Sequence, residues 1–111
     1  MPLFFSTPVW ISEIANYQEI NKELITYIYA EKNNDPTGTR RSNIKGWHSN
    51  QFNLQNQSLQ KFLESLSSKI KDATLDMGWD TENQIVKITS MWSIINKQDS
   101  FNERHHHGNS A

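Results

Sequence analysis

The chain is 111 residues long, 35% apolar and without cysteine, and its formal net charge is −1. A chain of that length holds one domain with a modest core, and the low apolar share makes the core small, drawn mostly from aromatics, Ile and Leu. Scattered charges speak against a nucleic-acid or anionic-membrane footprint, the lack of cysteine removes disulfide, thiolate and Cys-zinc chemistry, and no apolar run reaches membrane-spanning length.

The opening MPLFFSTPVW has neither the basic nor the uninterrupted apolar region of a signal peptide, so a soluble cytoplasmic protein is the expectation. Aromatic and β-branched residues from Leu3 to Ile14 predict a strand, with Pro8 placing it at an edge or a bulge. Asn16 with Glu19 three positions on has the spacing of a capping box. Tyr17, Ile20, Leu24, Tyr27 and Ile28 then repeat at helical spacing, so an amphipathic helix runs to Asn33-Asn34 and stops before Asp35-Pro36.

The stretch DPTGTRRSNIKGWHSNQFNLQNQ is polar and rich in turn formers, and reads as a loop with one short strand around Ile44 to His48. Its Arg40-Arg41, the one basic doublet, reads as solvated and not as a phosphate clamp. After Ser58, the residues Leu59, Phe62, Leu63, Leu66, Ile70, Ala73 and Met77 fall on one face of a second helix, with Gly78 placed to close it in the left-handed conformation. Gln84 to Ile95 switches to alternation, and because Ile85, Met91 and Ile95 make its second face apolar too, a strand covered on both sides is expected. The turn-like NKQDS leads to Phe101-Asn102 and the histidines, giving the order strand, helix, loop, helix, strand in a single α+β unit.

His105, His106 and His107 pose the chemical question. On a strand, His105 and His107 share one side with Cα atoms roughly 7 Å apart, a spacing that lets two imidazoles reach one metal ion. Two ligands make a poor site; His48, in the polar loop, suits a surface or hydrogen-bonding role, and nothing orients Asp99 or Glu103. From the residues alone, a solvated polar terminus and a metal site both stand. Asp72 and Asp76 lie off the apolar stripe of the second helix and read as a solvated face, and no nucleophile elbow, phosphate-binding loop or His-Glu-x-x-His helix is present.

WSIINKQDSFNERHHHGNSA resembles the entry to the metal-binding strand of a family of iron(II)- and 2-oxoglutarate-dependent dioxygenases, in which an Asn precedes a His-x-His pair and a small-residue turn with Ser. LFFSTPVW, SNIKGWHS and the long helix ahead of a Trp-bearing strand extend the resemblance over essentially the whole chain. The resemblance implies a double-stranded β-helix, the jelly-roll of cupin-like enzymes, of which residues 1–111 would form an incomplete amino-terminal portion truncated before most core strands. It implies His105 and His107 as ligands to Fe(II), with His107 standing where a carboxylate is commoner. Asn102 and Ser110 would orient the ligand turn, Trp92 would lie in the core, and Trp47, His48 and Ser49 would form a pocket wall.

For Trp47, packing over the sheet is the structural alternative. The distal ligand and the anchor for 2-oxoglutarate are expected beyond Ala111, so the fragment by itself should be inactive. The substrate implied is a small molecule or peptide, with self-association possible through an exposed sheet edge. The competing expectations are a small α+β binding or assembly module with a solvated His-rich end, and a cupin-like metalloprotein of another kind.

Overall fold

The computed structural model describes residues 6–80, 82–83 and 85–106. Among these residues the chain is a small α+β unit of two helices and two short antiparallel sheets, with no barrel. In chain order come α1 (Tyr17–Asn34), β1 (Asn43–Ile44), β2 (Trp47–His48), α2 (Gln57–Asp76), β3 (Ile94–Ile95) and β4 (Phe101–Asn102). No helix among them is long and apolar enough to cross a membrane.

Both helices lie where the apolar spacing predicts them, and their ends are made differently. Asn56 caps α2, its Oδ1 accepting from Ser58 N at 2.8 Å. At the far end Gly78 has φ 79°, Gly78 N donates to Leu75 O and Trp79 N to Thr74 O, the paired bonds of a Schellman motif. At α1 the expected capping box is absent: Asn16 is itself left-handed (φ 58°), and its side chain makes no capping bond. Glu19 turns instead to α2, where Lys61 Nζ bridges Glu19 at 3.3 Å and Glu23 at 3.1 Å. The two helices are thereby tied on their solvent side.

The strand expected over Leu3–Ile14 is not formed in its described part, residues 6–14. Pro8 offers no N–H, no strand among the described residues pairs with this segment, and Val9 and Ile11 are exposed, so an apolar face there would cover nothing. One tether is present: Trp10 Nε1 donates to Asp76 Oδ2 at 3.1 Å. The long strand expected over Gln84–Ile95 likewise shrinks to Ile94–Ile95, and it is not covered on both sides, since Ile85 is 90% exposed. Ile85 and Val86 face solvent there, while Ile88 and Met91 are half-buried.

The single short strand expected at Ile44–His48 is two, because Lys45 takes a left-handed φ of 61° and breaks the run. β1 pairs with β4 (Asn43 with Asn102, Ile44 with Phe101), and β2 pairs with β3 (Trp47 with Ile95, His48 with Ile94). Both pairs belong to one antiparallel ribbon interrupted where Lys45-Gly46 face the longer excursion of residues 96–100. NKQDS is therefore a bulge out of a ribbon, closed by Ser100 N on Lys97 O, and not the tip of a hairpin. Beyond β2 the pairing runs on through Ser49 N to Ser93 O, then slips by one residue at Phe52 N to Met91 O.

The core is small: among the described residues Ile20, Trp47, Phe52 and Leu59 are its buried apolar members, with Leu59 fully enclosed. Tyr27 of α1 meets the Phe52 ring edge-on at 5.0 Å, joining the helix to the loop that follows the ribbon.

Candidate functional site

The site is built on the ribbon. His48 and Ser49 leave β2, Trp92 and Ile94 come up to β3, and Asn102 and His105 lie at and beyond β4; with the 39–42 segment they border one cavity of about 810 Å³. Pairing sets which residues share it. Trp92 and Ile94 are two apart on an extended chain and face the cavity together, while Ser93 between them turns away.

Ser49, 2% exposed, locks the corner with two bonds to one partner: its N donates to Ser93 O, and its Oγ accepts from Ser93 N, both at 2.9 Å. His48 is buried, and its Nδ1 lies 2.7 Å from the carbonyl oxygen of Ser49. A carbonyl only accepts, so in the neutral ring Nδ1 carries the proton and Nε2 keeps its lone pair. The His48 ring stacks on Trp92, with centroids 6.0 Å apart and planes within 15°.

The 39–42 segment is laid across β2 by a glycine. Gly38 has φ 63°, and a Cβ there would stand 2.2 Å from the carbonyl oxygen of His48, so only glycine permits this approach. Thr39 N then donates to His48 O at 2.8 Å. On the other side, buried Asn43 accepts from Arg41 N at 2.7 Å and donates to Gly46 O at 3.0 Å. Arg41 is thus carried on a backbone tied at both ends.

The residues singled out from sequence fall as follows. His48, Ser49, Asn102 and His105 border the cavity. His105 Nδ1 lies 3.1 Å from Glu103 O, so it too carries its proton on Nδ1 when the ring is neutral. Trp47 is buried and turned the other way, its indole N–H donating to Asp35 O at 2.9 Å and its ring bordering a separate, smaller hollow with Lys32, Pro36 and Lys97. Of the surface or hydrogen-bonding role that its polar loop suggested, His48 takes the second, buried and bonded to Ser49 O. Trp92, expected in the core, is 45% exposed and serves as cavity wall. His107 and Ser110 lie outside the described residues.

Two further residues line the cavity, Arg41 and Trp92. Arg41, solvated by its sequence context, owes its position to Gly38 and Asn43, whose roles are visible only once the chain folds back on β2. Trp92 had a usable signal, its two-residue spacing from Ile94. No group of three or more His, Asp or Glu side chains placed to hold a metal occurs among the described residues. No protein-family model, curated protein or solved structure matches the chain.

Proposed function

We propose that this chain carries a metal ligand and one pocket wall of an iron(II)- and 2-oxoglutarate-dependent dioxygenase, a hydroxylase built on a jelly-roll. The observation that supports it is convergence: His105, the ligand candidate, and the His48–Ser49 corner, the wall candidate, border the same cavity although all of α2 separates them in sequence.

Among the described residues, the fit to a metal rests on one residue. His105 has its Nδ1 backed by a carbonyl oxygen, the arrangement that commonly orients metal-ligating imidazoles and assigns Nε2 to the metal. Imidazole suits iron, and His107 is the proposed second ligand. When bound, iron and 2-oxoglutarate would supply the oxidising chemistry: one atom of dioxygen goes to succinate with release of carbon dioxide, the other to a C–H bond of a small-molecule or peptide substrate. The chain's own part is to hold His105 three residues beyond β4, to orient that segment through Asn102, and to keep water from one side of the cavity with His48 and Trp92.

Titration of the chain with Co(II), followed by paramagnetic shifts in NMR, tests this. Signals of residues 102–106 should move at low metal concentration, and the effect should be lost in His105→Ala and in His107→Ala. Absence of site-specific binding, or binding indifferent to both substitutions, would sink the proposal. A binding or assembly module is the second reading, favoured by the exposed apolar side chains of Val9, Ile11 and Ile85. Under it, cobalt leaves the 102–106 signals in place and dilution shifts those of the exposed apolar residues.

A further inference from the structure

The cavity has a charge and a shape that the oxygenase proposal does not use. Among its described lining residues there is no carboxylate, and Arg41 is the one permanently charged side chain. The Arg41 guanidinium makes no hydrogen bond or ion pair to a described residue. An arginine held on a backbone fixed by Asn43, with no anionic partner among the described residues, is a receptor for an anion, since its fork of N–H donors matches a carboxylate or phosphate.

The same cavity has an aromatic wall. His48 and Trp92 are stacked, yet Trp92 keeps 45% of its surface open, enough for a second ring to lie against it. The remaining lining is mostly neutral and hydrogen-bonding, from Thr39, Ser42, Asn50 and Gln51. A volume of about 810 Å³ accommodates a ring-bearing acid with room to spare.

We infer that this cavity binds a small planar organic anion, its ring against the His48–Trp92 wall and its anionic group on Arg41. The inference goes beyond the oxygenase proposal and needs no metal, so the test uses metal-free protein in the presence of a chelator, and its failure is separable from failure of the cobalt titration.

Indole-3-acetate and its neutral amide, indole-3-acetamide, are titrated into the 111-residue chain while the Trp92 Nε1–H and Arg41 Nε–H signals are followed by NMR. The acid should move both signals and bind about tenfold tighter than the amide, the worth of one charge-assisted hydrogen bond. Arg41→Gln should remove that preference while leaving the Trp92 shift, and Trp92→Leu should weaken acid and amide alike. The amide-to-acid ratio is read within each variant, and the untouched signals of Leu59 and Phe52 report that the fold is kept. Equal affinity for acid and amide, shifts confined to other residues, or no binding would overturn the inference. So would 2-oxoglutarate binding Arg41 as tightly as indole-3-acetate, because the ring would then contribute nothing.

Discussion

The imidazole of His48 lies flat against the indole of Trp92, 6.0 Å between centroids and 15° between planes. The contact joins the end of β2 to the residue two before β3, just where regular pairing gives out and Ser49 takes over with its two bonds to Ser93. It is at once the wall of the cavity and a clamp on an irregular stretch of ribbon.

That clamp should be measurable as a coupling. His48→Ala removes a buried ring together with its bond to Ser49 O and should cost about 1–3 kcal/mol, whereas Trp92→Ala, half exposed, should cost less. In a double-mutant cycle read by urea unfolding, the pair should show about 0.5–1.5 kcal/mol of interaction. Strict additivity would mean the rings are merely adjacent.

How far the sequence reveals all this depends on the range of the interaction. α1 and α2 follow from apolar spacing, and the closing of α2 at Gly78 from one residue, because those signals are local. The capping box at Asn16 fails because Glu19 has a distant partner, Lys61, and a left-handed cap residue aims its side chain away from the first-turn amides. The strand expected over Leu3–Ile14 is missing from its described part, and the one over Gln84–Ile95 shortens to Ile94–Ile95, because a strand needs a neighbour, which composition cannot supply. Of the site, His48, Ser49, Asn102 and His105 were legible as residues but not as neighbours. Arg41 was legible as neither, since its place depends on Gly38 lying against the backbone of His48.

Two glycines with similar backbone angles should therefore respond differently to alanine. At Gly78 (φ 79°) a Cβ meets open space, so Gly78→Ala costs only the left-handed conformation, about 1 kcal/mol. At Gly38 (φ 63°) the same conformational cost is joined by a Cβ 2.2 Å from His48 O and 2.8 Å from Trp47 Nε1. Gly38→Ala should be the more damaging by about 1–3 kcal/mol and should displace the signals of Thr39 and Arg41. Equal unfolding midpoints for the two variants would contradict the close approach.

Ser93 offers the opposite sign. Its Oγ is buried with no hydrogen-bond partner among the described residues, while its backbone N–H and C=O are both held by Ser49. A buried hydroxyl without a partner is a net cost of folding, so Ser93→Ala should leave stability unchanged or raise it by about 1 kcal/mol. A fall of that size in thermal or urea unfolding would show that the hydroxyl does have a partner.

Alkaline pH should loosen the packing of the helices. The Tyr27 phenol is pushed above its usual range, first by removal from water beside Phe52, then by the neighbouring Glu31 carboxylate, with a bond from the Asn53 backbone pulling the other way. Lys61 is also raised, by its hydrogen bonds to Glu23 and Glu19. In both cases the folded chain holds the proton more tightly than the unfolded chain, whose values lie near about 10 for tyrosine and about 10.4 for lysine. Their contributions are therefore complete below about pH 10 and are lost as the pH rises through the higher folded values. The Lys61 side chain is 53% exposed and solvent screens it, so Tyr27 should carry most of the effect and added salt should erase the remainder. Urea midpoints measured from pH 7 to pH 11 should fall in the upper part of that range, the fall should be shallower in Tyr27→Phe, and Lys61→Gln should change it only at low salt. A Tyr27→Phe variant that loses stability with the same steepness would remove the phenol from the account.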